Sequence, residues 1–150
     1  DFEADDMCGV EQKEDGSTMI VAIDKDLLQI PGKHYRWPII RKGSVVRPAQ
    51  HLDVTPLQGM QSFFKQMLTG DVSDNIKGIY GIGAKKAEAL ITPLKTEEEM
   101  YDAVLDLYHR DDTDKESIVC SEERFKRNCD LLWIFRNLGE TYSVRREIRG

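Results

Sequence analysis

A segment rich in glycine and acidic residues separates two helical patterns: Gly70-Asp71-Val72-Ser73-Asp74-Asn75-Ile76-Lys77-Gly78-Ile79-Tyr80-Gly81-Ile82-Gly83-Ala84-Lys85-Lys86-Ala87. Before this segment, apolar residues recur at helical spacing from Pro56, and proline suits the first turn of a helix. After it, a helix is predicted from about Ala84 to Ile91, because Pro93 prevents its continuation. The segment therefore predicts a helix–loop–helix element.

The end of this segment has the chemistry of a phosphate-binding turn. Its glycines permit positive φ and close approach of the backbone, and free N–H groups at a helix N-terminus favour an anion. Such an element can bind the phosphate backbone of DNA without contacting the bases. The predicted DNA-binding residues are Lys77, Gly81, Gly83, Lys85 and Lys86. The alternative is a tight turn whose lysines are merely solvated.

Seven carboxylates form three tight groups: Glu3, Asp5 and Asp6; Asp24 and Asp26; Asp71 and Asp74. The second group follows an apolar run, where open α/β sheets place ligand sites. Its i, i+2 spacing directs both side chains to one side if the strand geometry continues. The i, i+3 spacing of the third group lets both side chains point into one pocket of a turn.

If these carboxylates converge, they require a cation. Two unit charges 4 Å apart repel by about 4 kcal/mol at an effective dielectric of 20. Oxygen ligands without histidine suit Mg²⁺ or Mn²⁺ rather than zinc. The alternative is that each group separately caps a helix or lies in water. A second metal hypothesis, an EF-hand loop, uses Asp112, Asp114, Glu116 and Glu123, but Ser117 stands where that loop requires glycine.

Composition excludes several classes of protein. The chain has 150 residues and a net charge of -6, with 40% hydrophobic residues. Its longest apolar run is too short to cross a bilayer, and its acidic start is unlike a secretory signal. Three cysteines at unrelated spacings indicate a reducing compartment rather than a disulfide framework or a zinc site: Cys8, Cys120 and Cys129. Because the chain opens on Asp1, we expect it to be a fragment or processed piece of a longer protein.

The charges are segregated along the sequence. Residues 33–50 carry five basic and no acidic side chains, and residues 77–95 have a net charge of +3. Residues 1–26 and 96–123, by contrast, are strongly acidic. Basic stretches of this kind can face phosphates while acids elsewhere keep the chain dissolved, although ordinary solvated faces explain them equally well.

The pattern of elements predicts an α/β fold: a partial, mostly parallel sheet (residues 1–55) followed by a helical half (residues 56–150). A helix is predicted over residues 2–12, and residues 19–23 are expected to form a parallel strand buried on both faces. Residues 35–40 and 44–47 predict two short strands around Lys42-Gly43, the first at an edge because of Pro38. The capping box of Thr96 and Glu99 begins a helix to about His109. A last helix is predicted to begin at Ser121 and to be ended by Gly139, with an apolar stripe from Phe125 to Leu138.

Taken in order, three motifs resemble the 5′-nuclease family: phage 5′–3′ exonucleases, flap endonucleases and the 5′-nuclease domain of bacterial DNA polymerase I. They are Glu3-Ala4-Asp5-Asp6, then Asp24-Lys25-Asp26 after an apolar strand, then the run from Gly70 to Ala87. The resemblance covers residues 3 to about 91, and beyond that the match is only generally helical. The basic stretch with Tyr35 and Trp37 is closer to the phage enzymes.

The resemblance implies a Mg²⁺-dependent phosphodiesterase that acts on DNA at 5′ ends, flaps or nicks by two-metal catalysis. It implies a helix–hairpin–helix-like DNA-binding element at about residues 62–91, which holds K⁺ through backbone carbonyls. It also implies a cytoplasmic location, in a bacterial cell or a phage-infected host, and no membrane partner. The implied catalytic residues are Asp24, Asp26, Asp71 and Asp74, and the implied metal ligands are these four together with Glu3, Asp5 and Asp6.

The family also has metal-binding aspartates, first strands and a basic arch upstream of the position that Glu3 matches. We therefore expect this chain by itself to bind metal weakly at its first acidic group and to cut DNA slowly or not at all. The competing hypothesis is a non-catalytic clamp on duplex DNA, completed by another chain or segment.

Overall fold

The computed structural model describes residues 3–111 and 121–150. The chain forms two compact units. The first unit comprises Asp1–Gly59 and Ile134–Gly139, and the second comprises Met60–Trp133 and Glu140–Gly150. Three acidic positions of the hypothetical EF-hand loop and one cysteine lie outside the described residues: Asp112, Asp114, Glu116 and Cys120.

The first unit contains a mixed sheet of three strands in the order β1-β2-β5. Strand β1 (Met19–Val21) pairs in parallel with β2 (Gly32–Arg36), which pairs antiparallel with β5 (Gln50–Val54). A mostly parallel sheet was the wrong expectation, because β1–β2 is the one parallel pair among the strands described. Helix α1 (Ala4–Glu11) precedes this sheet, as predicted.

Strand β1 is not buried on both faces. Ile20 is buried, whereas Met19 and Val21 are about half exposed, at 49% and 54%. The reason is position: β1 is an edge strand that pairs on one side, and alternate side chains point to opposite faces. Only the face that carries Ile20 is packed, against Leu27 and Ile30 of the following turn.

A two-stranded hairpin follows β2. Strands β3 (Ile39–Arg41) and β4 (Ser44–Arg47) pair around Lys42 and Gly43, as the sequence predicts, and both turn residues have positive φ. The single strand predicted over residues 35–40 is wrong, because it is interrupted at Trp37 and Pro38. Proline has no N–H for a ladder, so the chain leaves the first sheet there and starts the hairpin.

The core of the first unit is closed by a distant part of the chain. Ile134 packs with Leu27 and Ile30, the latter at the end of the 3₁₀ helix Asp26–Gln29. The buried side chain of Gln29 accepts a hydrogen bond from the N–H of Ile134 (2.8 Å). Residues 134–139 therefore belong to this unit through backbone contacts as well as apolar packing.

The second unit is helical. Helix α2 (Pro56–Thr69) bridges the two units in sequence and ends at Gly70, where φ is +72°. Then come a small hairpin of β6 (Gly70–Asp71) and β7 (Ile76–Lys77), and three helices: α3 (Ala84–Ile91), α4 (Glu97–Arg110) and α5 (Ser121–Leu132). The predicted bounds of α2, α3 and α4 are confirmed, and the capping box of α4 is present.

The helix predicted from Ser121 to Leu138 is too long. Helix α5 ends at Leu132, because the N–H groups that follow bond to side chains outside the helix. The N–H of Ile134 donates to Gln29, and the N–H of Phe135 donates to Asp6. A further helix, α6 (Tyr142–Arg149), follows and was not predicted. Its Tyr142 joins Phe63 and Trp133 in an aromatic cluster, with ring centroids 4.8 to 5.3 Å apart.

Within the described ranges, none of the helices combines the length and the apolar character that crossing a membrane requires.

Candidate functional site

The first acidic group lies at the start of α1. The carboxylate of Asp6 accepts from the N–H of Glu3 (3.3 Å), and its other oxygen accepts from the N–H of Phe135 (3.1 Å). Asp6 therefore caps the helix and anchors residues 134–139. Glu3 is exposed and Asp5 is half buried.

The second group follows β1 in a turn. One carboxylate oxygen of Asp24 accepts from the N–H of Asp26 (2.9 Å), which starts the 3₁₀ helix. Because β1 ends at Val21, strand alternation does not set the directions of these two side chains. Asp24 is exposed and Asp26 is half buried. The guanidinium of Arg36 reaches the same turn and donates to the carbonyl of Ile23 (2.7 Å).

The third group lies on the β6–β7 hairpin in the second unit. One oxygen of Asp71 accepts from the N–H groups of Ser73 (2.8 Å) and Asp74 (3.4 Å). Asp71 lines a cavity of about 480 Å³ together with Lys77 and Tyr80, whereas Asp74 is exposed and does not line it. The turn positions the two carboxylates differently, although their spacing predicts a common pocket.

The acidic groups are distributed over the two units, with Asp71 and Asp74 in the second and the other five in the first. Across residues 3–111 and 121–150, no three His, Cys, Asp or Glu side chains gather closely enough to hold a metal ion. Convergence of all seven carboxylates stays a prediction. As a donor set the residues do fit Mg²⁺, which commonly takes one or two carboxylates and completes its shell with water and substrate phosphates.

The glycine segment is tightly packed where it begins. A Cβ on Gly70 would lie 2.3 Å from the backbone nitrogen of Gly78, and a Cβ on Gly78 would lie 2.3 Å from the carbonyl oxygen of Leu68. The N–H of Ile79 donates to that same carbonyl (2.8 Å). The two glycines therefore let the chain return directly beside the end of α2.

The segment is open where it ends. Among the described residues, apart from each glycine and its two chain neighbours, no atom lies within 4 Å of the Cβ positions of Gly81 and Gly83, and Gly81 has φ +73°. The first turn of α3 closes with a hydrogen bond from the N–H of Ala87 to the carbonyl of Gly83 (3.0 Å), so the earlier N–H groups have no acceptor within the helix. Lys85 and Lys86 are exposed in this turn. Backbone donors and two lysine cations are thus open to solvent together, and phosphate binding at this turn stays a prediction.

A buried polar network supports this turn and was missed in the sequence. Asn128 of α5 donates to the carbonyl of Lys77 (3.0 Å) and to the hydroxyl of Tyr108 (3.0 Å), which donates to the carbonyl of Met67 (2.7 Å). Burial raises the pKa of Tyr108 to about 12. The only available signal is a polar residue at an inward position of α5, which by itself indicates nothing specific.

Comparisons with known proteins agree with the motifs. No family model matches the chain. A protein named 5′-3′ exonuclease from Halalkalibacterium halodurans is 32% identical over 81% of this chain and 45% of its own length. Proteins named DNA polymerase I from Deinococcus radiodurans and Borreliella burgdorferi are 34% and 37% identical over 75% and 67% of this chain.

The chain thus spans less than half the length of the exonuclease relative and 12% of each polymerase. The similarity nevertheless covers most of this chain and occurs in relatives that carry both of the names expected from its motifs. The chain belongs to the 5′-nuclease family.

Proposed function

We propose that this chain is part of a Mg²⁺-dependent 5′ nuclease that hydrolyses phosphodiester bonds in DNA with 5′ ends, flaps or nicks. The observation that carries the proposal is the open first turn of α3, where uncapped N–H groups lie with the exposed side chains of Lys85 and Lys86. Relatives named 5′-3′ exonuclease support the same activity. The turn follows Asp71 and Asp74 in the same unit.

The residues that would hold metal are the carboxylates of the three acidic groups. Asp24, Asp26, Asp71 and Asp74 would bind Mg²⁺, with Glu3, Asp5 and Asp6 as further ligands, direct or through water. When bound, Mg²⁺ would supply a hydroxide at neutral pH and stabilise the charge that develops on the phosphate. The role of the chain's own residues is to hold the DNA backbone. Gly81 and Gly83 let a phosphate of the DNA approach, and the N-terminus of α3 binds it.

The helix–hairpin–helix-like element would span α2, the β6–β7 hairpin and α3. It would bind duplex DNA independently of sequence, because its donors are backbone N–H groups and lysines. The carbonyls of the glycine segment would offer a K⁺ site, which a comparison of DNA affinity in KCl and NaCl at equal ionic strength would reveal.

Paired neutralisation of Asp71 and Asp74 tests the catalytic part. With a 5′-flap duplex, D71N/D74N should abolish Mg²⁺-dependent cleavage and retain DNA affinity, and cleavage should be scored both for this chain and for a chain extended upstream. Asp102→Asn is the matched control, since Asp102 is an exposed acid on α4. Cleavage that survives in D71N/D74N would overturn the assignment of these residues.

Paired replacement of Lys85 and Lys86 by Ala tests the DNA-binding part. Each lost phosphate contact should reduce the salt dependence of log K by about 0.9, to the same extent for unrelated sequences. Lys13→Ala is the control, since Lys13 is exposed on the first unit. A loss confined to particular sequences would contradict a phosphate-binding role.

A non-catalytic clamp on duplex DNA is the second candidate. It is favoured by one observation, that no three potential metal ligands gather in the part of the chain that the structure describes. A clamp binds DNA equally well in Mg²⁺ and EDTA and cleaves in neither, even when the chain is extended upstream.

A further inference from the structure

Two arginines of the first unit lie together and donate hydrogen bonds to neutral groups of the described structure. Arg36 at the end of β2 donates to the carbonyl of Ile23 (2.7 Å) and to the side chain of Gln50 (3.3 Å). Arg47 at the end of β4 donates to the carbonyl of Trp37 (2.9 Å). All these acceptors are neutral, and neither arginine takes part in a salt bridge among the described residues.

The two guanidinium groups are close enough to repel each other. Burial first, and then repulsion by Arg47, lower the pKa of Arg36 below its ordinary value, while Asp24 raises it. Like charges packed together are unfavourable unless an opposite charge offsets them. Asp24 acts in that direction, but the pKa of Arg36 stays lowered on balance.

Both arginines also have an N–H group that makes no hydrogen bond in the described structure. The Nε atoms of Arg36 and Arg47 are buried and have no acceptor in the described structure. Unsatisfied buried donors are costly, and because both Nε atoms are buried, a phosphate would reach them only after the arginine side chains shift. A phosphate oxygen is the acceptor that a guanidinium fits best, because its donors form a planar fork.

This pair lies at the turn that carries a proposed catalytic residue. Arg36 donates a hydrogen bond to the carbonyl of Ile23, directly before Asp24, and the Asp24 carboxylate acts to raise the pKa of Arg36. Beyond the pair, the β3–β4 hairpin presents Arg41 and Lys42 at its tip, both exposed. The stretch of residues 33–50 contains no acid that would oppose a polyanion.

We propose that Arg36 and Arg47 form a phosphate-binding pair that holds the DNA backbone beside Asp24, and that Arg41 and Lys42 extend this contact along the hairpin. The inference rests on the proposed action on DNA and adds a second backbone contact, in the first unit, to the one at α3. The contact is independent of base sequence, because every donor in it is suited to phosphate.

The test measures affinity for a 5′-flap duplex by fluorescence anisotropy in EDTA, over a series of salt concentrations, so that no cleavage intervenes. Arg47→Gln should weaken binding roughly eightfold at about 0.1 M salt and reduce the salt slope by about 0.9. Arg47→Lys should keep the slope, since it keeps the charge. Arg149→Gln is the matched control: it removes the same charge from an exposed position in the second unit.

A second variant avoids any effect on folding. In R41Q/K42Q both altered side chains are exposed at the hairpin tip, and the slope should fall by up to about 1.8, twice the effect of one contact. If the unaltered chain binds DNA but R47Q and R41Q/K42Q bind with unchanged slopes, this inference is overturned and the proposed function stands. If the unaltered chain does not bind duplex DNA, both are overturned.

Discussion

The side chain of Asn128 donates a 3.0 Å hydrogen bond to the backbone carbonyl of Lys77, 51 positions earlier in the chain. The same amide group bonds to the hydroxyl of Tyr108, so that α4 and α5 together hold strand β7 within the glycine segment. The rigidity of the candidate DNA-binding turn thus depends on residues far from it in sequence.

Removal of the Tyr108 hydroxyl should destabilise the protein. Tyr108→Phe deletes the donor to Met67 and the acceptor for Asn128, and it leaves buried groups unpaired. We expect a loss of about 1–3 kcal/mol in the free energy of unfolding, measured with urea. Tyr101→Phe is the control, because the Tyr101 hydroxyl makes no hydrogen bond within the described residues. This variant should lose less than about 0.5 kcal/mol in the free energy of unfolding.

Alkaline pH should destabilise the protein through the same group. Burial raises the pKa of Tyr108 to about 12 from its ordinary value of 10.0. Between these values the unfolded chain has released the proton and the folded chain has not, so stability falls as pH rises. Urea unfolding at a series of pH values should show a smaller decline from pH 10 to 12 in Y108F, and an identical decline would contradict the argument.

Close packing of two glycines should make one of them irreplaceable. Gly70→Ala places a Cβ 2.3 Å from the nitrogen of Gly78, in addition to the strain of a positive φ. Gly81→Ala has the same backbone strain but open space around its Cβ. Thermal unfolding should show a loss of about 1 kcal/mol for G81A and clearly more for G70A. Equal losses would show that the close approach at Gly70 contributes nothing.

Acid should weaken the link between α4 and α6. Burial acts to raise the pKa of Glu97, but hydrogen bonds from Arg145 and Tyr142 outweigh it and lower the pKa below 4.5. A carboxylate whose pKa is lower in the folded than in the unfolded chain stabilises the fold at pH values above its ordinary pKa. This stabilisation is lost as the pH falls through the pKa of the folded state.

Glu97→Gln should therefore cost about 1–3 kcal/mol at neutral pH, and the difference from the unaltered protein should shrink below pH 4.5. Glu98→Gln is the matched control, because Glu98 is 69% exposed and pairs with Arg146 at the surface. That variant should lose less than about 1 kcal/mol. A cost for E97Q that is independent of pH would contradict the ionic origin of the effect.

Elements with strong local signals could be predicted from the sequence. Helix α2 has a proline in its first turn and a glycine at its end, and α4 has the reciprocal bonds of Thr96 and Glu99. These signals act within a few residues, so no knowledge of the fold is needed. The open turn before Lys85 was predictable for the same reason.

Elements that depend on distant partners could not be predicted. Strand β5 contains Gln50, His51 and Asp53 and forms because β2 offers it a ladder. Helix α5 stops where it does because Gln29 and Asp6 accept the next N–H groups. At the site, the cause is similar: the spacing of Asp71 and Asp74 permits a shared pocket, but the first carboxylate is turned by hydrogen bonds to Ser73 and Asp74.

The return of residues 134–139 to the first unit constrains how this protein can be divided. An expression fragment cut after Gly59 would lose Ile134 from its core, and the remaining piece would carry the N–H groups of Ile134 and Phe135 without their acceptors. The chain enters each unit twice, so neither behaves as a separable module. Dissection of the protein must proceed by substitution, since truncation at that boundary would damage both halves at once.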